Sequence, residues 1–156
     1  MKPEKTLRFI QEIGSIMYVG GILSHIVIGI VLGDGDVSTI LNVYIYKESS
    51  AYTLILPGLG LKILSDLILF FAFKEKPNWL KIKLLATAFL AINAFVFLVP
   101  MMPELVELAR QSLPSGKISQ AFLDREHTEM IVGQSNIIPL LDLPKKKPFA
   151  ITGKAL

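Results

Sequence analysis

A chain of 156 residues, 52% of them hydrophobic, with a mean hydropathy of +0.55, is too apolar for an ordinary soluble domain and reads as an integral membrane protein. Sixteen Lys and Arg against thirteen Asp and Glu leave a net charge of only +3, too small and too scattered to argue for nucleic-acid binding. The absence of cysteine excludes a disulfide framework, a thiolate metal site, a thioether-linked haem and a cysteine nucleophile.

The first apolar run, Ile13 to Leu32, carries no formal charge and is about 20 residues long, enough as a helix to span the hydrocarbon layer. Lys2, Lys5 and Arg8 precede it, as in a signal peptide. The run outlasts a typical signal h-region, however, and ends in Gly33-Asp34-Gly35-Asp36 with no small-x-small cleavage site, so it is expected to be retained. Residues Val37 to Ser50 mix apolar side chains with Asn42, Lys47 and Glu48. They read as a loop with a short interfacial helix that places Tyr44 and Tyr46 among the headgroups.

A second run, Ala51 to Phe73, is long enough to cross, with Pro57-Gly58 in its first half and Lys62 and Asp66 inside it. After a turn over Lys74 to Trp79, the third span runs from about Ile82 to Met102, interrupted by Asn93 and closed by Pro100 and Pro103. Glu104 to Gly116 is polar. Ile118 to Leu143 is helical in period but carries Asp124, Arg125, Glu126, His127 and Glu129, which leaves only Met130 to Leu143 as an apolar piece.

The expected fold is all-α, one transmembrane domain over residues 1–156. It is a multi-pass helical bundle of three apolar helices and a fourth that is short or amphipathic; residues 118–156 hold that atypical helix and a basic tail. Lys2, Lys5, Arg8, Lys74, Lys76, Lys81 and Lys83 flank one side of the spans, against Lys47, Arg110 and Lys117 on the other. The positive-inside rule therefore puts the N-terminus in the cytoplasm of an inner membrane. Lys145, Lys146, Lys147 and Lys154 obey that rule only if the chain crosses once more before them.

On the first helix Gln11, Gly14, Tyr18, Gly21 and His25 recur at steps of three and four and share a face. A small, polar stripe of this kind belongs inside a bundle, where neighbouring helices approach closely. His25 suits a hydrogen bond to another helix, a haem or metal ligand, or a proton relay, in that order of weight.

Lys62 lies mid-span, too far from either interface to snorkel, and Asp66 follows one turn later on the same face. A buried charge costs about 3 kcal/mol on insertion scales, so mutual neutralisation in a buried ion pair is the economical reading, with a proton relay as the alternative. Asp124 and His127, at i and i+3 with Glu126 and Glu129 nearby, resemble half of a di-metal carboxylate site. A solvated charged turn is the weightier reading. No phosphate loop, HExxH, GxSxG or nucleotide fingerprint is present.

The opening Lys5-Thr6-Leu7-Arg8-Phe9-Ile10-Gln11-Glu12-Ile13-Gly14, continued by Tyr18-Val19-Gly20-Gly21, resembles that of small four-helix bacterial membrane proteins of the CopD and HemJ type, together with related integral membrane proteins of unknown function. Pro57-Gly58 and Trp79-Leu80-Lys81-Ile82-Lys83-Leu84 carry the same resemblance, which covers about residues 5–102. It implies a four-helix membrane fold. In HemJ-like members it further implies haem-associated histidines near the start of helix one and after the helix-three lysine, where this chain holds Gln11 and Asn93. Amides are poor haem ligands, so haem is not the favoured cofactor. The expected role is a non-catalytic subunit or accessory factor of a membrane assembly, with lipid and protein subunits as partners. The alternatives are a haem-linked redox protein and a small proton-conducting element using Lys62, Asp66 and His25.

Overall fold

The computed structural model describes residues 3–72 and 78–136, and their regular structure is entirely helical. The turn expected around Lys76 and the last apolar residues with the basic tail, 137–156, lie outside the described residues. Four rods make the bundle. α1 is Pro3–Leu32. α2 (Val37–Ser50) runs through a π-helical turn at Ala51–Ile55 into α3 (Leu56–Ala72). α4 (Asn78–Ile92) runs through a second π-helical turn at Asn93–Leu98 into α5 (Val99–Ser112). α6 (Gln120–Ser135) returns beside α5. Gln11 meets Asp66 while Gly21 faces Ile55, so the first two rods are antiparallel. Asp66 meets Thr87, and Asn93 meets Asn136 while Glu104 meets Arg125, so each later rod also reverses.

The segment Val37–Ser50 is not a loop with a short interfacial helix but the first third of a rod that runs to Ala72. Asp36 caps it by accepting the Thr39 N–H at 2.8 Å, and neither Gly nor Pro interrupts it before Pro57. Tyr46 is exposed, but Tyr44 is buried and stacks edge-on against Phe122 of α6. The polar residues that suggested headgroups answer a neighbouring helix instead.

The third span likewise does not end at Pro100 and Pro103; the helix continues to Ser112 with Pro103 inside it. The reason lies in the π turn just before. Val99 N–H bonds back five residues to Ala94, a wider closure than an α-helix makes. That widening frees carbonyls from the α ladder next to Pro100, which lacks an N–H and would otherwise clash with the preceding turn. The first π turn repeats the device: Leu56 N–H reaches Ala51, and Pro57 follows at once. The polar stretch after Pro103 buries Leu105, Val106 and Ala109, while Glu104, Glu107 and Arg110 stay exposed.

Among the described residues, three helices are long and apolar enough to cross a membrane: Lys5–Leu32, Val37–Ala72 and Lys81–Ser115, of 28, 36 and 35 residues. This is a multi-pass membrane architecture. The two longer rods measure over 50 Å at about 1.5 Å per residue, well beyond a hydrocarbon layer of about 30 Å. Exposed Leu64, Ile68 and Phe71, with Leu85 and Phe89, coat the end near the N-terminus, whereas α5 turns Glu104, Glu107 and Arg110 outward at the other end. At the α2–α5 end the surface is mixed, since α1 also exposes Val27, Ile30 and Val31 there. There Gly116, with φ of +64°, closes a short 3-10 turn, and Ser119 caps α6 through the Phe122 N–H. The core runs along the bundle axis through Tyr18, Leu59, Leu90, Ala94, Met102 and Leu105.

Candidate functional site

α1 buries Gln11, Gly14, Tyr18 and Gly21 and half-buries His25, so its stripe faces the bundle. A Cβ on Gly14 would stand 2.7 Å from the Gly58 carbonyl oxygen, and one on Gly58 would stand 2.7 Å from the Tyr18 nitrogen. The α1 and α3 backbones thus touch, which is how the long side chain of Gln11 reaches Asp66 across the pair.

That crossing is followed, toward the N-terminal end, by a closed charge cluster. Lys62 Nζ lies 2.8 Å from Asp66 Oδ2 and donates to Thr87 Oγ1 at 2.7 Å; Thr87 donates to the same carboxylate oxygen at 2.9 Å. Gln11 Nε2 donates to Asp66 Oδ1, and Lys83 Nζ approaches that oxygen at 3.2 Å. The Asp66 carboxylate is fully buried while the Lys83 side chain is 23% exposed. Asp66 therefore draws α1, α3 and α4 together, and Lys83 connects the cluster to the surface.

A second cluster lies toward the opposite end of the bundle, between α2 and α6. Tyr44 Oη donates to Glu126 Oε1 at 2.9 Å, and Lys47 Nζ pairs with Glu129 at 3.3 Å while standing 4.5 Å from the Tyr44 ring centre. His25 Nε2 and Ser50 Oγ are hydrogen-bond partners. Two helix faces match here: Tyr44 and Lys47 are one turn apart on α2, and Glu126 and Glu129 one turn apart on α6. Arg125 pairs with Glu104 on α5.

Between the clusters is a cavity of about 60 Å³, bordered by both π turns through Ala51, Ile55, Ala94 and Leu98, and by Tyr18, His25, Glu129 and Asn136. Next to it, a cleft of about 470 Å³ opens between α1 and α6. Ile22, His25, Glu129 and Gly133 border both spaces. Tyr18 Oη and Asn136 Nδ2 are buried without a hydrogen-bond partner among the described residues.

The remaining residues singled out by sequence separate into different places. Asn93 donates to Ser135 Oγ at 2.8 Å and to Asn136 Oδ1 at 2.9 Å, tying α4 to α6. Asp124 is exposed and accepts from Gln120 at 2.9 Å. His127 is exposed at the rim of the cleft and does not converge with Asp124. Among the described residues no group of three His, Cys, Asp or Glu could hold a metal ion. The positions where the family resemblance would put haem ligands do not fit that group either, since Gln11 and Asn93 are amides committed to Asp66, Ser135 and Asn136. Comparison of the chain with known protein families, curated proteins and solved structures finds no match.

Sequence reasoning missed Thr87 and Lys83 as partners of Asp66, and Tyr44, Lys47, Glu126 and Glu129 as one cluster. The i, i+3 recurrence of complementary groups on two helices was the available signal for the second cluster. Nothing local marks Thr87.

Proposed function

We propose that this chain is a non-catalytic subunit or accessory factor of an inner-membrane protein assembly, with its N-terminus in the cytoplasm. The observation that carries the reading is the outer face of α6. Leu123, Met130 and Ile131 are exposed there beside exposed Asp124 and His127. A face so mixed suits neither lipid nor water: one unpaired charge faced to hydrocarbon costs about 3 kcal/mol, and bare aliphatic side chains in water gain nothing. A protein partner offers both kinds of contact. Both interior clusters support the same role, because their contacts tie helix to helix and fix the bundle that would present this face.

The test is a photo-crosslinking amino acid placed at Leu123 or Ile131 in the full chain, activated in native membranes. The reading expects one adduct of fixed mass and a matching larger species on a native gel, both weakened by Ile131→Asp. A chain that migrates as a single copy and forms no adduct overturns it.

One observation favours a second reading, the haem-linked redox protein. Both histidines of the chain, His25 and His127, border the α1–α6 cleft although they lie on different helices. A Soret band in the purified protein that is lost in both His25→Ala and His127→Ala supports this reading over the first. The accessory-factor reading expects no stoichiometric haem.

A further inference from the structure

We infer that the inner cavity, through Tyr18 and Asn136, holds the carbonyl end of a neutral amphiphile that reaches it by way of the α1–α6 cleft. The inference goes beyond the accessory role and does not depend on it.

Tyr18 and Asn136 are each 1% exposed, yet Tyr18 Oη and Asn136 Nδ2 have no partner among the described residues. Leaving such a group unpaired in an interior costs about 1–3 kcal/mol, and buried polar atoms in native proteins are almost always matched. The Asn136 amide must donate, since its oxygen already accepts from Asn93. The Tyr18 hydroxyl can donate as well, and both residues border the same cavity. The complement to buried donors on one cavity wall is an acceptor oxygen, and a carbonyl offers two lone pairs.

The rest of the wall sets the ligand's body and charge. Ile55, Leu56, Leu98, Val99 and Met102 make it aliphatic, so the atoms around the acceptor are apolar. Glu129, the charged residue on the wall, is already paired with Lys47, so the ligand is neutral: a further charge would be buried unpaired. Size then demands the cleft. A space of about 60 Å³ accepts a carbonyl group and a few carbons, while the adjoining 470 Å³ receives the remainder. Ile22, Ile26 and Ile30 make the α1 side of that cleft apolar, while Lys47, Glu126, His127 and Glu129 line the facing side, so an apolar tail lies along α1, where Ile26 and Ile30 are exposed. Two membrane-borne sources share this chemistry, the ester region of a glycerolipid and the ring of a quinone.

Gly133 supplies a clean test. It borders both spaces, and a Cβ built on it meets nothing within 4 Å, so Gly133→Leu starts from an open backbone position and adds bulk at their shared border. Full-length protein in detergent micelles is titrated with decyl-benzoquinone, with a diacylglycerol, and with the matching dialkyl glycerol ether, which lacks carbonyls. Binding is read by isothermal titration and by the shift of the unfolding temperature.

Saturable one-to-one binding of a carbonyl probe, at least tenfold tighter than the ether, is expected. Tyr18→Phe and Asn136→Leu should each weaken it at least fivefold, and Gly133→Leu should abolish it with the helical circular dichroism unchanged. Preference for the quinone or for the diacylglycerol identifies the source. If neither carbonyl probe binds saturably, the cavity holds water and the inference fails. It fails equally if Tyr18→Phe and a folded Gly133→Leu bind as the native chain does. Should Gly133→Leu not fold, the Tyr18→Phe result decides, because removing an unpartnered hydroxyl leaves the packing intact.

Discussion

The Asp66 cluster makes an asymmetric prediction about its two central residues. Removing one member of a buried pair costs about 3–5 kcal/mol, because it strands the other charge. The two losses differ here. Lys62→Met leaves Asp66 with Gln11, Thr87 and the Lys83 ammonium at 3.2 Å, so its carboxylate is still paired and the cost falls to about 1 kcal/mol. Asp66→Asn leaves the ammonium of Lys62, whose side chain is 8% exposed, with Thr87 as its hydrogen-bond partner. That stranded charge carries the full penalty, about 3 kcal/mol, or more than a hundredfold in the folding equilibrium.

The double variant Lys62→Met/Asp66→Asn removes both charges, and Gln11 and Thr87 can still bond the new amide. It should lose about 1–2 kcal/mol, less than Asp66→Asn alone, which gives a coupling of about 2–3 kcal/mol between the positions. The assay is reversible unfolding in mixed micelles at increasing mole fraction of a denaturing detergent, followed by circular dichroism. Equal losses for the two single variants, or strict additivity in the double, would show that Asp66 is not the shared anchor of the cluster.

Gly14→Ala places a Cβ 2.7 Å from the Gly58 carbonyl and should destabilise by about 1–3 kcal/mol as the helices are pushed apart, whereas Gly20→Ala, which meets nothing within 4 Å, should be neutral or gain up to about 1 kcal/mol; the same unfolding assay compares them. The hydrogen bonds from the Thr39 hydroxyl and N–H hold the Asp36 carboxyl below its ordinary value of 3.8. A group depressed on folding stabilises above its unfolded value and loses that effect as pH falls through the folded one, so acidification below that range should fray the start of α2. Hydrogen exchange at the Thr39 amide should rise there, and Asp36→Asn should remove the pH dependence while keeping a cap. Single cysteines at Lys5 and Ser115 should label from opposite faces of the membrane, Lys5 from the cytoplasmic one; labelling from the same face would refute the crossing pattern and the charge count behind it.

What could be read from the chain alone divides by sequence separation. The spans around Ile22, Leu64 and Leu90 are continuous apolar runs, and the Lys62–Asp66 spacing is one helical turn, so both are local facts. The helical state of Val37–Ser50 is not. Its polar side chains make sense only against Glu126 and Glu129, more than 80 residues away, and before that pairing is known Tyr44 and Lys47 look like headgroup residues. The same separation hides Thr87, which reads as one more small residue in an apolar helix until α3 and α4 are placed side by side. Pro100 and Pro103 misled for a different reason. Proline normally ends a helix, but the i to i+5 closure before Pro100 has no residue signature of its own, so the span seemed to stop a full turn before Leu105 and Val106 enter the core.

The two π turns also explain why the cavity lies where it does. Each puts an extra residue into a rod directly ahead of a proline, which widens the helix there and sets its side chains off the ridge-and-groove positions that would close-pack against α1. Ala51–Ile55 and Asn93–Leu98 both border the same space, so the two widenings coincide at this void. Toward the N-terminal end the opposite holds: Gly14 and Gly58 bring backbones into contact, and the donors and acceptors of Gln11, Lys62, Asp66 and Thr87 answer one another. The bundle is thus locked at one end by groups that satisfy each other and open in its middle around Tyr18 and Asn136, whose donors are left for something else. A chain selected only to hold four helices together would gain by replacing Tyr18 with phenylalanine. Keeping the hydroxyl beside a void that two helical irregularities border is consistent with a ligand there rather than with packing.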